Sequence, residues 1–277
     1  RVWSIPISEP LENGGLNGAF DPPDEAVWEA QGRKLLTFVI QNTRMLVVAE
    51  DLGTVPECSY RVLDEFGVLG MDIQRWTRDL SRAHTFKLPE EYRKNSIAAL
   101  CTHDLTSFNG WWEYEGGTVY EPLFKRKCEA LGIDFDRLKP ELFDLTKSVH
   151  DRLRWKEEIG DTAVLARVLN KKEGEAIDLI DSYLFSYNEK AKFWDYLSCS
   201  GTIEEQSSPR LAQAALKKVS ETASIFNIQL IHDWFAIGGM KQSGSWEERI
   251  NTPGITSENN WSWRAPFSLE EMKRLPL

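Results

Sequence analysis

The sequence lacks the patterns that mark several common classes of protein. No GxGxxG or GxxxxGKS/T segment occurs in its 277 residues, which excludes the usual phosphate-binding loops of nucleotide-binding proteins from this stretch. The four histidines show no HxxxH spacing and the four cysteines form no CxxC pair, so neither a zinc site nor a dense disulfide framework is expected. We therefore expect no metal ion and no cofactor.

Excess positive charge and long apolar runs are also absent. The chain has 33 basic against 43 acidic residues, and its formal net charge of -10 repels the phosphates of nucleic acids. The apolar run at residues 45–49 is far shorter than a membrane-spanning helix. Neither nucleic acid nor a membrane is expected as a partner.

The chain does not begin with a methionine but with Arg1. The residues that follow lack the basic and long apolar regions of a signal peptide, so we interpret the sequence as part of a longer chain. Widely spaced cysteines are typical of reduced, cytosolic proteins, which predicts a cytoplasmic location.

Hydrophobic periodicity divides the chain into helices and short strands. Apolar residues recur at helical spacing over residues 26–41 and 56–66, and residues 109–222 are dominated by amphipathic helical patterns rich in Lys, Glu and Arg. Short apolar runs predict buried strands, at residues 45–49, 70–76, 96–101 and 224–231. Residues 1–25 and the stretch from 251 onward are rich in turn residues.

Apolar strands separated by helices predict a parallel sheet that is covered on both faces. Acidic residues or His-Asp pairs directly follow three of the four predicted strands, at Glu50, at His103-Asp104 and at His232-Asp233. Catalytic side chains occupy this position in (β/α) barrels. Four strands are only half of a closed eight-stranded barrel, however.

Glu50 and Asp104 are candidate catalytic carboxyls. Two carboxyls that converge from strand ends suit glycosidic bond cleavage, in which one protonates the leaving oxygen, and an apolar wall beside Glu50 would raise its pKa. In the alternative reading, Glu50 and Asp51 cap the helix that begins near Pro56, and Asp104 caps the helix that follows it.

His103 and several tryptophans could contact a sugar. His103 could donate hydrogen bonds to hydroxyl groups, although a histidine at the end of a strand is often structural. For His232 the structural interpretation is favoured more strongly. The sequence holds 11 tryptophans, of which Trp111, Trp112 and Trp261 lie in polar settings that suit stacking on sugar rings. Packing in the core is the alternative for each of these rings.

Several motifs, in order, give the chain a specific resemblance. They are VAEDLGTVP at residues 48–56, THDL at 102–105 with GWW at 110–112, RINTPG at 249–254 and NWSWR at 260–264. Together they closely resemble the 4-α-glucanotransferases of glycoside hydrolase family 77, also called amylomaltases or disproportionating enzymes. The resemblance covers almost the whole chain, although residues 115–222 contribute little to it.

The resemblance implies the roles of individual residues. Glu50 matches the general acid/base, and Asp104 matches the aspartate that holds the hydroxyl groups of the donor sugar, with His103 beside it. Further contacts with substrate are expected from the two tryptophans of the GWW motif and from the RINTPG loop, at Trp111, Trp112, Asn251, Pro253 and Gly254.

The nucleophile that the family requires is not found in this sequence. In the family it is the aspartate of an Arg-x-Asp-His segment shortly before a Trp-x-Ile-Pro stretch, and WSIP at residues 3–6 matches that stretch. The resemblance therefore implies a fragment that lacks the nucleophile and is inactive by itself. Its expected partners are α-1,4-glucans or maltooligosaccharides and the N-terminal half of the same protein.

Taken together, the sequence predicts an α/β fold, the C-terminal half of a (β/α)8 barrel with a helical insertion. Residues 1–104 would supply the later βα units, residues 105–222 a mainly helical segment, and residues 223–277 the last barrel strand with a C-terminal loop and helix. The expected activity is retaining transfer of α-1,4-glucan segments between maltodextrins. The alternatives are a non-catalytic α-glucan-binding protein and a related α-glucan hydrolase.

Overall fold

The structure of the chain is a computed structural model that describes residues 25–53, 55–240, 246 and 248–274. The WSIP motif and the turn-rich segment that precedes residue 25 lie outside the described residues. The described residues form both helices and strands, so the fold is of mixed α/β character.

The α-helices are numbered in chain order. They are α1 (Glu25–Gln41), α2 (Glu57–Glu65), α3 (Phe108–Gly110), α4 (Glu121–Ala130), α5 (Phe135–Leu142), α6 (Thr162–Leu169), α7 (Ile177–Ser186), α8 (Glu189–Tyr196), α9 (Pro209–Ser220), α10 (Ile231–Ile237) and α11 (Leu269–Met272). A single π-helical turn, Trp111–Glu115, directly follows α3. The observed α1 and α2 confirm the two helices predicted from periodicity before residue 67.

The strands form three small sheets. They are β1 (Gly70–Ile73), β2 (Arg78–Asp79), β3 (Thr85–Phe86), β4 (Ser96–Ala99), β5 (Thr118–Tyr120), β6 (Phe143–Val149), β7 (Arg152–Trp155) and β8 (Phe226–Asn227). The parallel sheet has the order β1-β4-β8, β2 pairs with β3 in an antiparallel hairpin, and β5, β7 and β6 form an antiparallel sheet in that order.

The parallel sheet confirms two of the predicted strands almost as expected. In register, Gly70 pairs with Ser96 and Ile73 with Ala99, while Ile97 pairs with Phe226. A bridge from Val48 to Leu69 adds residues 47–49 beside β1. Each of these chain segments therefore points its carboxyl end toward the same edge of the sheet.

Two of the strand predictions are wrong in extent or burial. Residues 45–49 were expected to form a buried strand, but they make only the one bridge, and Met45 is 80% exposed. Residues 224–231 were expected to form a full strand, but β8 has two residues and the chain turns into α10 at Ile231. Both segments lie at an edge of the parallel sheet, where on one side no described strand pairs with them.

The segment from residue 105 to residue 222, called the insertion below, is not purely helical. Its helices α4 to α7 pack around the antiparallel sheet of β5, β6 and β7, which periodicity did not predict. Large apolar side chains fill the space between them, among them Phe124, Phe143 and Leu165. The insertion thus has its own hydrophobic core.

A second hydrophobic core joins the parallel sheet to α8 and α9. Ala98 and Leu100 face Phe193 and Leu211 in this cluster, which also holds both tryptophans of the GWW motif. Burying such large apolar side chains is the main favourable contribution to folding. This core holds both ends of the loop that follows β4 in place.

One glycine is required by a close approach. A Cβ atom at Gly70 would lie 2.5 Å from both the Asp51 carboxylate and the Arg93 guanidinium, which form an ion pair across β1. Asp51 also accepts a hydrogen bond from the backbone N–H of Met71 at 2.7 Å. The pair therefore fastens residues 47–51 to β1.

The described residues form eleven α-helices. None of the helices in that part of the chain combines the length and the hydropathy needed to cross a bilayer.

Candidate active site

The carboxyl edge of the parallel sheet brings the predicted catalytic residues to one side. Glu50 follows the bridged segment at residues 47–49, and the pair His103-Asp104 follows β4. Because β1 lies between these two chain segments, their backbones are about 10 Å apart at the usual strand spacing. Gln74 and Arg75 leave β1 between them and are buried.

Asp104 is held in a fixed orientation by three neighbours. Its Oδ1 accepts a hydrogen bond from Asn251 Nδ2 at 2.6 Å and lies 3.3 Å from His103 Nε2. Its backbone carbonyl accepts a hydrogen bond from Arg249 Nη2 at 3.0 Å. The carboxylate is still about one-third exposed, so it can accept further hydrogen bonds from a ligand.

The RINTPG loop closes over this pair. The backbone N–H of Asn251 donates to the carbonyl of His103 at 3.0 Å, and the N–H of Trp261 donates to Ile250 at 2.8 Å. The rings of His103 and Trp261 then lie 4.9 Å apart, at an interplanar angle of 39°. The loop is thus attached at its start and at the NWSWR motif, and Trp261 covers one face of the imidazole.

Pro253 and Gly254, which the resemblance assigned to the substrate, form an exposed turn of the same loop. Gly254 has a φ of +80°, a conformation that residues with a side chain rarely adopt. Neither residue forms a described hydrogen bond with Asp104, so of the three loop residues expected to contact substrate, only Asn251 bonds directly to the His103-Asp104 pair.

A buried carboxylate connects the loop to the insertion. Glu115 is the last residue of the π-helical turn. Its carboxylate oxygens lie 2.9 Å from a guanidinium nitrogen of Arg152, 3.3 Å from one of Arg75 and 3.8 Å from one of Arg249. Burial opposes the ionisation of Glu115, but the charges of Arg152 and Arg75 outweigh it and lower the pKa of the carboxyl. Through Arg249, this cluster supports the backbone of Asp104.

Glu50 and Asp51 have opposite environments. Glu50 is exposed, and the described residues do not form the apolar wall that was expected beside its side chain. The side chain of Asp51 is 3% exposed because it pairs with Arg93. Neither of them caps α2, because the N-cap position of this helix is Pro56, which makes no side-chain hydrogen bond, so the capping alternative is wrong for both.

Asp104 is not a helix cap either. The cap of α3 is Ser107, whose hydroxyl accepts a hydrogen bond from the N–H of Gly110. Of the two readings given for Asp104, the geometry of the described residues favours the one in which its carboxylate is available to a ligand.

The tryptophans of the GWW motif are core residues. Trp112 is completely buried and donates its indole N–H to the carbonyl of Glu204 at 3.0 Å, and Trp111 packs against Phe193 with ring centroids 4.9 Å apart. The expectation that these two rings are direct platforms for a sugar at the catalytic edge is wrong, because their faces are covered by α8. Trp261, in contrast, is an exposed ring at that edge.

Asp233 supports the loop that carries Asp104 from below, and the neighbouring His232 packs against the ring of Trp263. Asp233 is buried and accepts hydrogen bonds from the N–H of Phe108 at 3.4 Å and from Cys101 Sγ at 3.5 Å, so it binds both ends of the loop that carries Asp104. Burial raises the pKa of Asp233 to about 6 and lowers that of His232 to about 4. We interpret both side chains as structural, which is the interpretation that the sequence favours for His232.

Two contributors to the site were not singled out from the sequence. Arg249 belongs to the RINTPG motif, which could have drawn attention to it. Glu115 had no such signal, because nothing in its local sequence shows that three arginines from distant segments surround it. Within the described residues, no cluster of three or more His, Cys, Asp or Glu side chains is arranged to hold a metal ion.

Comparisons with known proteins agree with one another. A family model described as 4-alpha-glucanotransferase matches residues 1–270. The 4-alpha-glucanotransferase of Chlamydia trachomatis serovar D is 25% identical over 256 residues, which are 92% of this chain and 35% of that protein. The corresponding protein of Chlamydia caviae is 26% identical over 257 residues, which are again 92% of this chain and 35% of that protein.

Among solved structures, amylomaltase from Streptococcus agalactiae in complex with acarbose resembles the chain with a TM-score of 0.45 and 17% identity. The match covers 88% of this chain and 31% of that one. The chain spans about a third of the length of the curated relatives that it matches.

Proposed function

Because the chain belongs to the 4-alpha-glucanotransferase family, we propose that it supplies part of a catalytic domain that transfers α-1,4-glucan segments between maltodextrins. The observation that carries this proposal is the arrangement around Asp104. Its carboxylate is oriented by Asn251, flanked by His103 and still open to a ligand. An oriented, partly exposed carboxylate suits bidentate acceptance of hydrogen bonds from two sugar hydroxyls.

In this proposal, Glu50 is the general acid and base. It protonates the 4-oxygen of the departing glucan while a carboxylate nucleophile attacks the anomeric carbon, so the glycosidic bond breaks as a glycosyl ester forms. Glu50 then takes the proton from the 4-hydroxyl of an acceptor glucan, which attacks the same carbon and releases the nucleophile. The exposure of Glu50 is compatible with access to both substrates.

We further propose that the nucleophile belongs to a part of the full-length protein that precedes these residues. No Arg-x-Asp-His segment occurs in the 277 residues, and the relatives are about three times as long as their matched region. By this proposal the chain alone does not transfer glucans. The parallel sheet would then be the later part of a (β/α)8 barrel, completed by the N-terminal half of the protein.

A cytosolic location is part of the same proposal. The four cysteines are all unpaired in the structure, which supports a reducing compartment.

The test is made on the full-length protein with maltotriose as substrate. We expect glucose and longer maltodextrins as products, and we expect Glu50→Gln to reduce turnover by at least about 1,000-fold, since proton transfer and deglycosylation both need this carboxyl. Asp104→Asn should also reduce kcat. The matched control is Glu57→Gln, an exposed glutamate in α2, which should keep full activity.

The outcomes separate the alternatives. Full activity in Glu50→Gln would refute the assignment of this residue. Binding of maltooligosaccharides without any product from the wild-type protein would indicate a glucan-binding protein instead. Release of glucose without longer products would indicate a hydrolase.

A further inference from the structure

A cavity of about 530 Å³ lies where the end of β7 faces the first turn of α8. Its volume falls in the range of small-molecule sites in proteins. Arg154 and Lys156 line it from the side of β7, and Lys190 lines it from α8. None of the residues of the candidate active site lines this cavity. We call it the β7–α8 cavity.

The three cations Arg154, Lys156 and Lys190 form no ion pair with any described carboxylate. Arg154 Nη1 donates to the backbone carbonyl of Gly116 at 3.3 Å, and Lys190 Nζ donates to that of Glu205 at 3.3 Å. Neutral carbonyls only partly replace the water that these charges lose in a cavity wall, because a charge removed from water needs a counter-charge. Unpaired cations that share a cavity therefore indicate a site for an anion.

The carboxylates that line the β7–α8 cavity are paired elsewhere or exposed to water. Glu189 is buried and forms an ion pair with Arg78. Asp144 lies 3.5 Å from the ammonium group of Lys147. The remaining two belong to exposed residues of the turn after β7, Glu157 and Glu158. Water and salt screen such exposed charges, so they compensate the cations of the wall only weakly.

Arg154 and Lys190 are crowded together beside two glycines. A Cβ atom at Gly117 would lie 3.3 Å from Nη1 of Arg154, and one at Gly116 would lie 3.4 Å from Cγ of Lys190. Burial, together with the charge of Arg154, lowers the pKa of Lys190 to about 8. Burial also lowers the pKa of Arg154. An anion bound between the two side chains would offset both the burial and the repulsion.

The donors of the β7–α8 cavity suit the oxygen atoms of a phosphate group. A guanidinium can donate two parallel hydrogen bonds to phosphate, and an ammonium group adds a compact positive charge. The cavity is larger than a phosphate ion needs, and Tyr187 and Ile203 add apolar surface to its lining. It therefore has room for an organic group attached to the phosphate.

We propose that the β7–α8 cavity binds the phosphate group of a small molecule, either inorganic phosphate or a sugar phosphate. Arg154 and Lys190 are the principal binding groups, and Lys156 adds a third positive charge. The site is separate from the candidate active site, and the proposal does not rest on the proposed function.

The experiment is calorimetric titration of the full-length protein with inorganic phosphate and with glucose 6-phosphate, in about 0.15 M NaCl. We expect saturable binding with a Kd below about 1 mM for at least one of them. Arg154→Met and Lys190→Met remove a charge but keep a long side chain, and each should weaken binding at least about tenfold, or about 1.4 kcal/mol. Lys190→Arg keeps the charge and should retain most of the affinity.

The matched control is Lys217→Met, an exposed lysine of α9 that does not line the β7–α8 cavity. Thermal unfolding shows whether each variant is folded. The proposal is overturned if neither anion binds the wild type, if folded Arg154→Met and Lys190→Met bind it normally, or if Lys217→Met loses binding equally. Tighter binding of glucose 6-phosphate than of inorganic phosphate would identify a sugar phosphate as the ligand, and equal or weaker binding would identify free phosphate.

Acetylation of Lys190 provides a second measurement that needs no variant. At pH 8 about half of these side chains are unprotonated and can react with acetic anhydride. Because a bound anion favours the charged ammonium form, saturating phosphate should slow the acetylation of Lys190 at least about threefold and leave that of Lys217 unchanged. Mass spectrometry of the two peptides measures both rates. Equal rates at Lys190 with and without phosphate would contradict the proposal.

Discussion

Asp233 and His232 show how burial gives two adjacent side chains opposite responses to pH. Both are buried beneath the loop that carries Asp104, and desolvation penalises the charged form of each. For the carboxyl the charged form exists at high pH, and for the imidazole it exists at low pH. The pKa of Asp233 is therefore raised from 3.8 to about 6, and that of His232 is lowered from 6.5 to about 4.

The two shifts predict opposing pH dependences of stability. Between pH 4 and 6 the unfolded chain has lost the Asp233 proton while the folded chain keeps it, so this group lowers stability as pH rises. In nearly the same window the unfolded chain holds a proton on His232 that the folded chain lacks, so this group raises stability as pH rises. In the wild type the two contributions largely cancel.

Single variants should expose each contribution. Relative to the wild type, Asp233→Asn should gain stability from pH 4 to pH 6, and His232→Leu should lose it, each by on the order of 2–3 kcal/mol across the window. Urea unfolding at pH 4.5, 5.5 and 6.5 measures the slopes. The interpretation is contradicted if both variants change slope in the same direction.

The residues of the candidate site differ in how far the sequence could predict them. Glu50, His103 and Asp104 were predictable because each follows a short apolar run and lies in a motif. The role of Glu115 was not predictable, because its partners Arg75 and Arg249 are brought to it only by tertiary packing. Local patterns identify strand ends but not which distant charges meet there.

At the scale of elements, the π-helical turn, β7 and the RINTPG loop meet at one buried carboxylate. Glu115 ends the turn, Arg152 comes from β7, and Arg249 begins the loop that holds Asp104. π-Helical turns often occur at functional sites because they displace a side chain from its regular position. We infer that the insertion contributes to the orientation of Asp104 through this cluster.

Arg249→Met tests that connection. Glu115 keeps Arg75 and Arg152 as partners, so the free energy of unfolding should change by less than about 2 kcal/mol, whereas kcat of the full-length protein should fall at least about tenfold as Asp104 loses its support. Maltotriose kinetics and urea unfolding measure the two effects. Arg137→Met, an exposed arginine of α5, is the matched control and should change neither.

A parallel loss of stability and activity in Arg249→Met would mean that Arg249 acts only in folding. Unchanged kcat would show that Asp104 does not depend on the cluster.

The elements that sequence patterns missed have a common cause. The strand β5 has only three residues, and β6 and β7 carry charged residues, as in RLRW of β7, so their alternation resembles the polar face of a helix. Only pairing with neighbouring strands settles their conformation. The edge segments at residues 45–49 and 224–231 are apolar enough to predict strands, but an edge has half of its pairing partners missing among the described residues.

For the whole molecule, the two edges of the parallel sheet each carry a group of exposed apolar side chains. Met45, Leu46 and Val48 are exposed at one edge, and Ile225, Phe226 and Ile228 are exposed at the other. Unpaired strand edges with apolar side chains promote association with other chains. This fits the proposal that the N-terminal half of the full-length protein covers both edges.

The chain by itself should therefore associate in a concentration-dependent way. Leu46→Lys combined with Ile228→Lys places a charge at each edge, where it opposes pairing, and should shift the mass measured by light scattering toward the monomer. Leu269→Lys, on the equally exposed α11, is the matched control and should leave association unchanged. In the full-length protein the edge variant should instead lower stability, because a buried lysine would replace an apolar contact between the two halves. A full-length edge variant as stable as the wild type would show that these edges remain open to solvent in the complete protein.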